Sequence, residues 1–96
     1  MSETTLKISV ITFCQYHQIA PGFVYALQES GLVQLEEQEE HYYITNEQVD
    51  ALEKYIRMHY ELGINIEGLE VISRLLARME EMERELRLLR RGEGRL

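Results

Sequence analysis

The sequence predicts a mainly α-helical domain that ends in a long helix, with one β-hairpin set between its helical parts. Three observations carry this expectation. Helix-start residues at Thr12 and Pro21 bound two short helices around a tight turn. Two apolar or aromatic stretches, residues 32–35 and 41–44, flank the polar run Glu36-Glu37-Gln38-Glu39-Glu40. From Ile72 onward, Leu75, Met79, Met82, Leu86 and Leu89 follow in alternating steps of three and four, the spacing of a coiled-coil seam.

Each element has its own signal. Leu6-Lys7-Ile8-Ser9-Val10-Ile11 alternates and is β-branched, so a short strand or extended segment is expected there. Thr12 then caps a first helix over about residues 13–18. Ile19-Ala20-Pro21-Gly22 makes the turn. Pro21 suits the first position of the second helix, where its missing N–H has no bond to lose, and Gly31 supplies the left-handed stop. The hairpin stands where a wing would, although its tip lacks Asn-Gly or Asp-Gly. Thr45 and Gln48 read as a capping box for a third helix, with Val49, Leu52, Ile56 and His59 along one face. Gly63 ends it, and Asn65 caps the last helix over about residues 66–90. Glu70–Arg74, Glu80–Arg84 and Glu83–Arg87 lie at the favourable i, i+4 order on that helix. The reading is a winged helix-turn-helix domain over residues 1–63, a C-terminal coiled-coil helix for dimerisation over 64–91, and a frayed tail over 92–96.

Charge narrows the partners. Seventeen acidic residues against ten basic ones leave a formal charge of −7. Residues 1–62 carry the whole excess, with only Lys7, Lys54 and Arg57 as cations, whereas residues 63–96 balance. The N-terminal part should repel phosphate backbones, whose binding rests on Lys and Arg displacing counterions. It should attract a basic protein surface, or the acidity serves solubility alone. A single Cys14 permits no intrachain disulfide and fits a reducing compartment. No apolar run approaches the ~20 residues of a membrane span. Met1-Ser2-Glu3-Thr4-Thr5-Leu6 lacks the basic start and apolar stretch of a signal peptide, so a cytoplasmic location is expected.

Catalytic chemistry finds little support. Cys14 and His17 are one helical turn apart, yet a structural zinc site needs about four ligands, and His41 and His59 are dispersed. Cys14 suits a small core residue better. No Gly-rich nucleophile turn or phosphate-cradling loop is present, and neither an enzyme nor a cofactor is expected. Tyr42 and Tyr43 alternate, so one should enter the core while the other covers the wing. The Glu36–Glu40 run is either a solvated turn or a docking surface for Lys and Arg. The seam either pairs with a second copy, burying an apolar stripe that monomers rarely expose, or folds back on its own domain.

The order and spacing of several segments resemble the MerR-type winged-helix superfamily and, within it, the CbpM-like chaperone modulators. Ile11-Thr12-Phe13-Cys14 followed by Ile19 is similar to the modulators' opening helix. Ser30-Gly31-Leu32-Val33 resembles the end of the second helix, and Tyr43-Ile44-Thr45 with Val49 and Leu52 the passage from wing to third helix. His59-Tyr60-Glu61-Leu62-Gly63-Ile64, with Leu69 and Ile72, resembles the helix-Gly-helix junction. Arg87-Leu88-Leu89-Arg90 is similar to the modulators' C-terminal end.

The resemblance implies a chaperone modulator that binds the J-domain of a DnaJ/CbpA-type co-chaperone and inhibits its work with Hsp70. DNA-reading members use Arg in the second helix and wing; this chain has no Lys or Arg in either, and only Gln28 suggests base readout. Glu36, Glu37, Glu39, Glu40, Glu47 and Asp50 are the expected partner-binding residues. Leu75, Met79, Met82, Leu86 and Leu89 are the expected homodimer interface. A MerR-family DNA-binding transcriptional regulator is the alternative, and a purely structural adaptor a third reading.

Overall fold

The structure, a computed structural model, describes residues 6–93. Its elements run β1 (Lys7–Ser9), α1 (Val10–His17), α2 (Pro21–Glu29), β2 (Glu36–Gln38), β3 (His41–Thr45), α3 (Asn46–Tyr60) and α4 (Ile66–Glu93). The mainly helical winged helix-turn-helix architecture is present, with a long C-terminal helix. Residues 1–5 and 94–96, where frayed ends are expected, lie outside the described residues.

The first helix starts earlier than the sequence suggests. Ser9, not Thr12, is its cap: Ser9 Oγ accepts the Thr12 N–H at 3.1 Å, and its hydroxyl donates to Thr12 Oγ1 at 2.8 Å. Starting at Val10 puts Val10, Phe13 and Cys14 together on the buried face. Strand β1 is correspondingly short and pairs antiparallel with β3, Ile8 opposite Ile44. The sheet order is therefore β1-β3-β2, and the wing has three strands rather than two.

Residues 32–35 are not a strand, because their amides find partners elsewhere. Leu32 N–H donates to Leu27 O at 2.9 Å, closing α2 beyond Gly31 (φ 83°). Gln34 N–H donates to Gln48 Oε1 at 3.2 Å, and Leu35 N–H to Gln28 Oε1 at 3.0 Å. The strand begins only at Glu36. Gln48 is thereby drawn away from α3's own start, so the expected capping box does not form and Thr45 caps without a side-chain hydrogen bond.

The core lies between α1, α2, β3 and the near faces of α3 and α4. Val24, Leu27, Ile44, Leu52 and Leu69 are wholly buried, each from a different element except the two in α2. His59 locks the α3–α4 turn: its ring stacks on Phe23 at 4.5 Å, and its Nδ1 lies 2.8 Å from Ile64 O. A carbonyl only accepts, so Nδ1 carries the proton. Asn65 caps α4 as expected, its Oδ1 accepting from Gly68 N–H at 2.8 Å.

Only the first turns of α4 rest on the domain. Leu69 is buried, Ile72 half-buried, and Ser73 Oγ accepts from the Tyr55 hydroxyl at 3.4 Å. Beyond them the helix continues to Glu93, past residue 92 where the frayed tail is expected to begin. The i, i+4 pairs expected along it do not close. Among the described residues the ion pairs join Lys7 to Glu36 and His17 to Glu53. Long side chains on a solvated helix gain little from being fixed together.

Candidate functional site

In a helix-turn-helix domain the second helix and the wing form the reading face, and here both lack Lys and Arg. The nearest ammonium belongs to Lys7 on β1. It lies 2.6 Å from Glu36 Oε1 and 2.8 Å from Gln38 Oε1, with the Tyr43 ring 5.5 Å away. The charge of Lys7 is thus spent within the sheet. Gln28, the residue with base-reading chemistry, holds the Leu35 amide instead. A phosphate backbone brought to this face would meet no cation free to displace its counterions.

What the face does offer is a groove of about 360 Å³ between the start of α1, α2 and the hairpin. Ile11, Tyr25, Glu40, His41, Tyr42 and Tyr43 line it. Strand alternation divides the two wing tyrosines as expected. Tyr42 shares the Ile44 side of β3 and meets Tyr25 edge-on at 5.6 Å, while Tyr43 lies under Lys7 on the other side. Tyrosines beside a carboxylate, here Glu40, suit a protein-binding surface, supplying large rigid contact area with a hydroxyl at its edge. The sequence reading missed Ile11, Tyr25 and His41 as members of this surface. Helical position placed Ile11 and Tyr25 in elements, but only their packing against the hairpin brings them together.

The six acidic residues expected to dock a partner do not form one cluster. Glu36 and Glu37 occupy successive positions of β2 and so point to opposite faces, the first toward Lys7. Glu39 and Glu40 are the turn itself, both at positive φ (53° and 68°). Glu47 and Asp50 belong to the first turns of α3, separated from the tip by the five-residue β3, roughly 17 Å of strand. Of the six, Glu40 alone lines the groove.

The expected seam residues do share one exposed stripe on α4: Leu75, Met79, Met82, Leu86 and Leu89 are each 51–65% exposed. The domain does not fold over them.

Cys14 and His17 part company in the fold. Cys14 is buried, which raises its thiol above the usual range. His17 lies against Phe13 at 4.2 Å, with Nε2 3.6 Å from Glu53 Oε2. Among the described residues no three His, Cys, Asp or Glu side chains gather to hold a metal ion. Nor is any helix long and apolar enough to cross a membrane.

These features define a winged helix-turn-helix domain with a projecting, apolar-striped helix. Residues 8–91 match the family model described as MerR HTH family regulatory protein, and the chain belongs to that family. A comparison with curated proteins finds no match.

Proposed function

We propose that this member of the family regulates another protein rather than a promoter, as a dimeric chaperone modulator. It would bind the J-domain of a DnaJ/CbpA-type co-chaperone and keep it from Hsp70. The observation that carries the reading is the Lys7–Glu36 contact at 2.6 Å. It removes the wing's nearest cation from a reading face that already lacks Lys and Arg. Such a face suits a basic polypeptide, and the resemblance of the N- and C-terminal segments to chaperone modulators supplies the identity of that polypeptide. Inhibition requires no bond chemistry: occupying the cationic surface of the J-domain excludes Hsp70 sterically and electrostatically.

Two copies would join through the α4 stripe and cover its exposed apolar residues.

The experiment is a titration of the purified full-length protein with a J-domain at rising ionic strength, read by calorimetry, alongside J-domain-stimulated Hsp70 ATPase. Saturable binding that weakens with salt and suppresses the ATPase is expected. No association at low salt would overturn the reading. The family also contains DNA-reading regulators, so the same protein is titrated with duplex DNA. A steeply salt-dependent, sequence-selective complex would favour the transcriptional alternative.

A further inference from the structure

The distal part of α4 carries a second face, made differently from its apolar stripe. With Ile72, Met79 and Leu86 at heptad position a and Leu75, Met82 and Leu89 at position d, positions b, c and f point away from the seam. From residue 84 to residue 92 those outward positions hold Arg84, Arg87, Leu88 and Arg91, with no carboxylate among them. All four are exposed, Leu88 to 64%. Arg84 precedes Arg87 by three residues and Leu88 by four, and Arg91 follows them by four and three, so the arginines surround Leu88 on one helical face. Glu80, Glu81 and Glu83 lie one turn before Arg84 or Arg87. They leave these arginines unpaired, since the ion pairs among the described residues are Lys7–Glu36 and His17–Glu53.

Compensation of the helix dipole accounts for Arg90 and Arg91 in the last turn, but that effect fades within a turn and does not reach Arg84 and Arg87. Nor does the seam use them, because a second copy laid on positions a and d leaves b, c and f open. We propose that this face docks an acidic amphipathic helix of a partner protein. Its carboxylates meet Arg84, Arg87 and Arg91, and an apolar residue between them packs on Leu88. The occupant follows from charge and size. Arg84 to Arg91 spans about 10 Å of helix, a distance that two turns of a partner helix match with Glu or Asp at i, i+4 and i+7. Guanidinium groups suit carboxylates through paired N–H donors. A nucleic-acid duplex or an anionic bilayer extends well beyond this face and would also meet Glu80, Glu81 and the acid excess that leaves the chain at −7. A short helix avoids them. This surface is separate from the acidic wing and does not depend on the wing's partner.

The probe is a labelled synthetic helical peptide with Glu at i, i+4 and i+7 around a Leu at i+3, titrated with the full chain and read by fluorescence anisotropy at rising salt. A peptide with Gln in place of each Glu is the control. Three variants are compared: Arg84→Gln, Arg87→Gln and Arg91→Gln together; Leu88→Ala; and Arg57→Gln with Arg74→Gln, which removes cations elsewhere. Binding that weakens with salt is expected, with a loss of about tenfold or more in the triple variant. Leu88→Ala should lose several-fold, and the Arg57 and Arg74 pair should bind within twofold of the parent. Thermal unfolding and sedimentation of the triple variant should match the parent, because the side chains are exposed and Gln is a good helix former. A peptide that fails to bind at low salt, or binds the triple variant within twofold of the parent, overturns the docking face. Duplex DNA or phosphatidylserine vesicles bound more tightly than the peptide through the same arginines would overturn the acidic helix as its occupant.

Discussion

Lys7 Nζ stands 2.6 Å from Glu36 Oε1, and this contact ties the two edge strands of the sheet together across β3. Both side chains are partly exposed, at 32% and 48%, so the pair contributes only about 0–1 kcal/mol to stability. Its larger effect is on charge. A wing that would otherwise present one ammonium to a partner presents a neutral pair and free carboxylates.

Reversing Glu36 and Glu39 to Lys releases Lys7 and adds two cations to the wing. Association with a J-domain should slow several-fold at low salt, and nonspecific affinity for duplex DNA should rise with a steeper salt slope. Stopped-flow mixing and a salt series of DNA titrations read both. An association rate unchanged across salt would return the acidic wing to a merely solvated role.

The α4 seam predicts a dimer of defined register. Its positions are symmetric about a point between Glu80 and Glu81. An antiparallel copy would therefore set Ile72 against the partner's Leu89, Leu75 against the partner's Leu86, and Met79 against the partner's Met82. The same register places Arg78 beside the partner's Glu85, twice. Leu86→Lys should yield monomers by sedimentation equilibrium. Arg78→Glu should weaken the dimer, and adding Glu85→Arg to it should restore most of the loss. A dimer indifferent to Leu86→Lys would place the interface elsewhere.

The hairpin turn holds Glu39 and Glu40 at positive φ, where L-residues other than Gly, Asn and Asp are disfavoured by about 1–2 kcal/mol each. Replacing the pair with Asn-Gly should therefore raise the free energy of unfolding by roughly 1–2 kcal/mol, seen as a higher urea midpoint with an unchanged slope. The same replacement removes Glu40 from the groove, so stability and partner affinity should move in opposite directions. A midpoint that does not rise would mean that the turn carries no such strain.

Gly68 offers a test of sign. In an exposed helix Gly→Ala ordinarily stabilises by about 1 kcal/mol. Here a Cβ would stand 2.8 Å from Ile64 Cγ2 and 3.1 Å from Asn65 Oδ1, the atom that caps the helix. Ile64 is β-branched and held in the turn after α3, so it gives way poorly. Gly68→Ala should lower the thermal midpoint by several degrees, on the order of 1 kcal/mol. A higher midpoint would show that the turn relaxes freely.

Much of the fold was legible because its signals are local. Pro21, Gly31, Gly63 and Asn65 act within a few residues, through fixed φ, left-handed backbone or a short side-chain acceptor, and each does in the structure what its type implies. Misplaced elements were those in which a distant group won. Ser9 displaced Thr12 as a cap because an earlier start buries Val10 with Phe13 and Cys14. Gln48 left its own helix for the Gln34 amide, removing both the capping box and the strand expected over residues 32–35. The acidic residues expected to dock a partner together are instead dispersed by strand alternation and the length of β3.

Amino-acid order alone determined the helical class, the stops between elements, the acid excess ahead of Gly63 and the apolar stripe of α4, because periodicity, chirality and net charge need no knowledge of neighbours in space. Tertiary structure decided which of those charges remain available and which surfaces meet. Lys7 and Glu36 neutralise each other across 29 positions of sequence, and Ile11 and Tyr25 come to line one groove with His41 and Tyr42. Both depend on packing between elements far apart in the chain, where burial of the shared core, rather than local preference, sets the geometry.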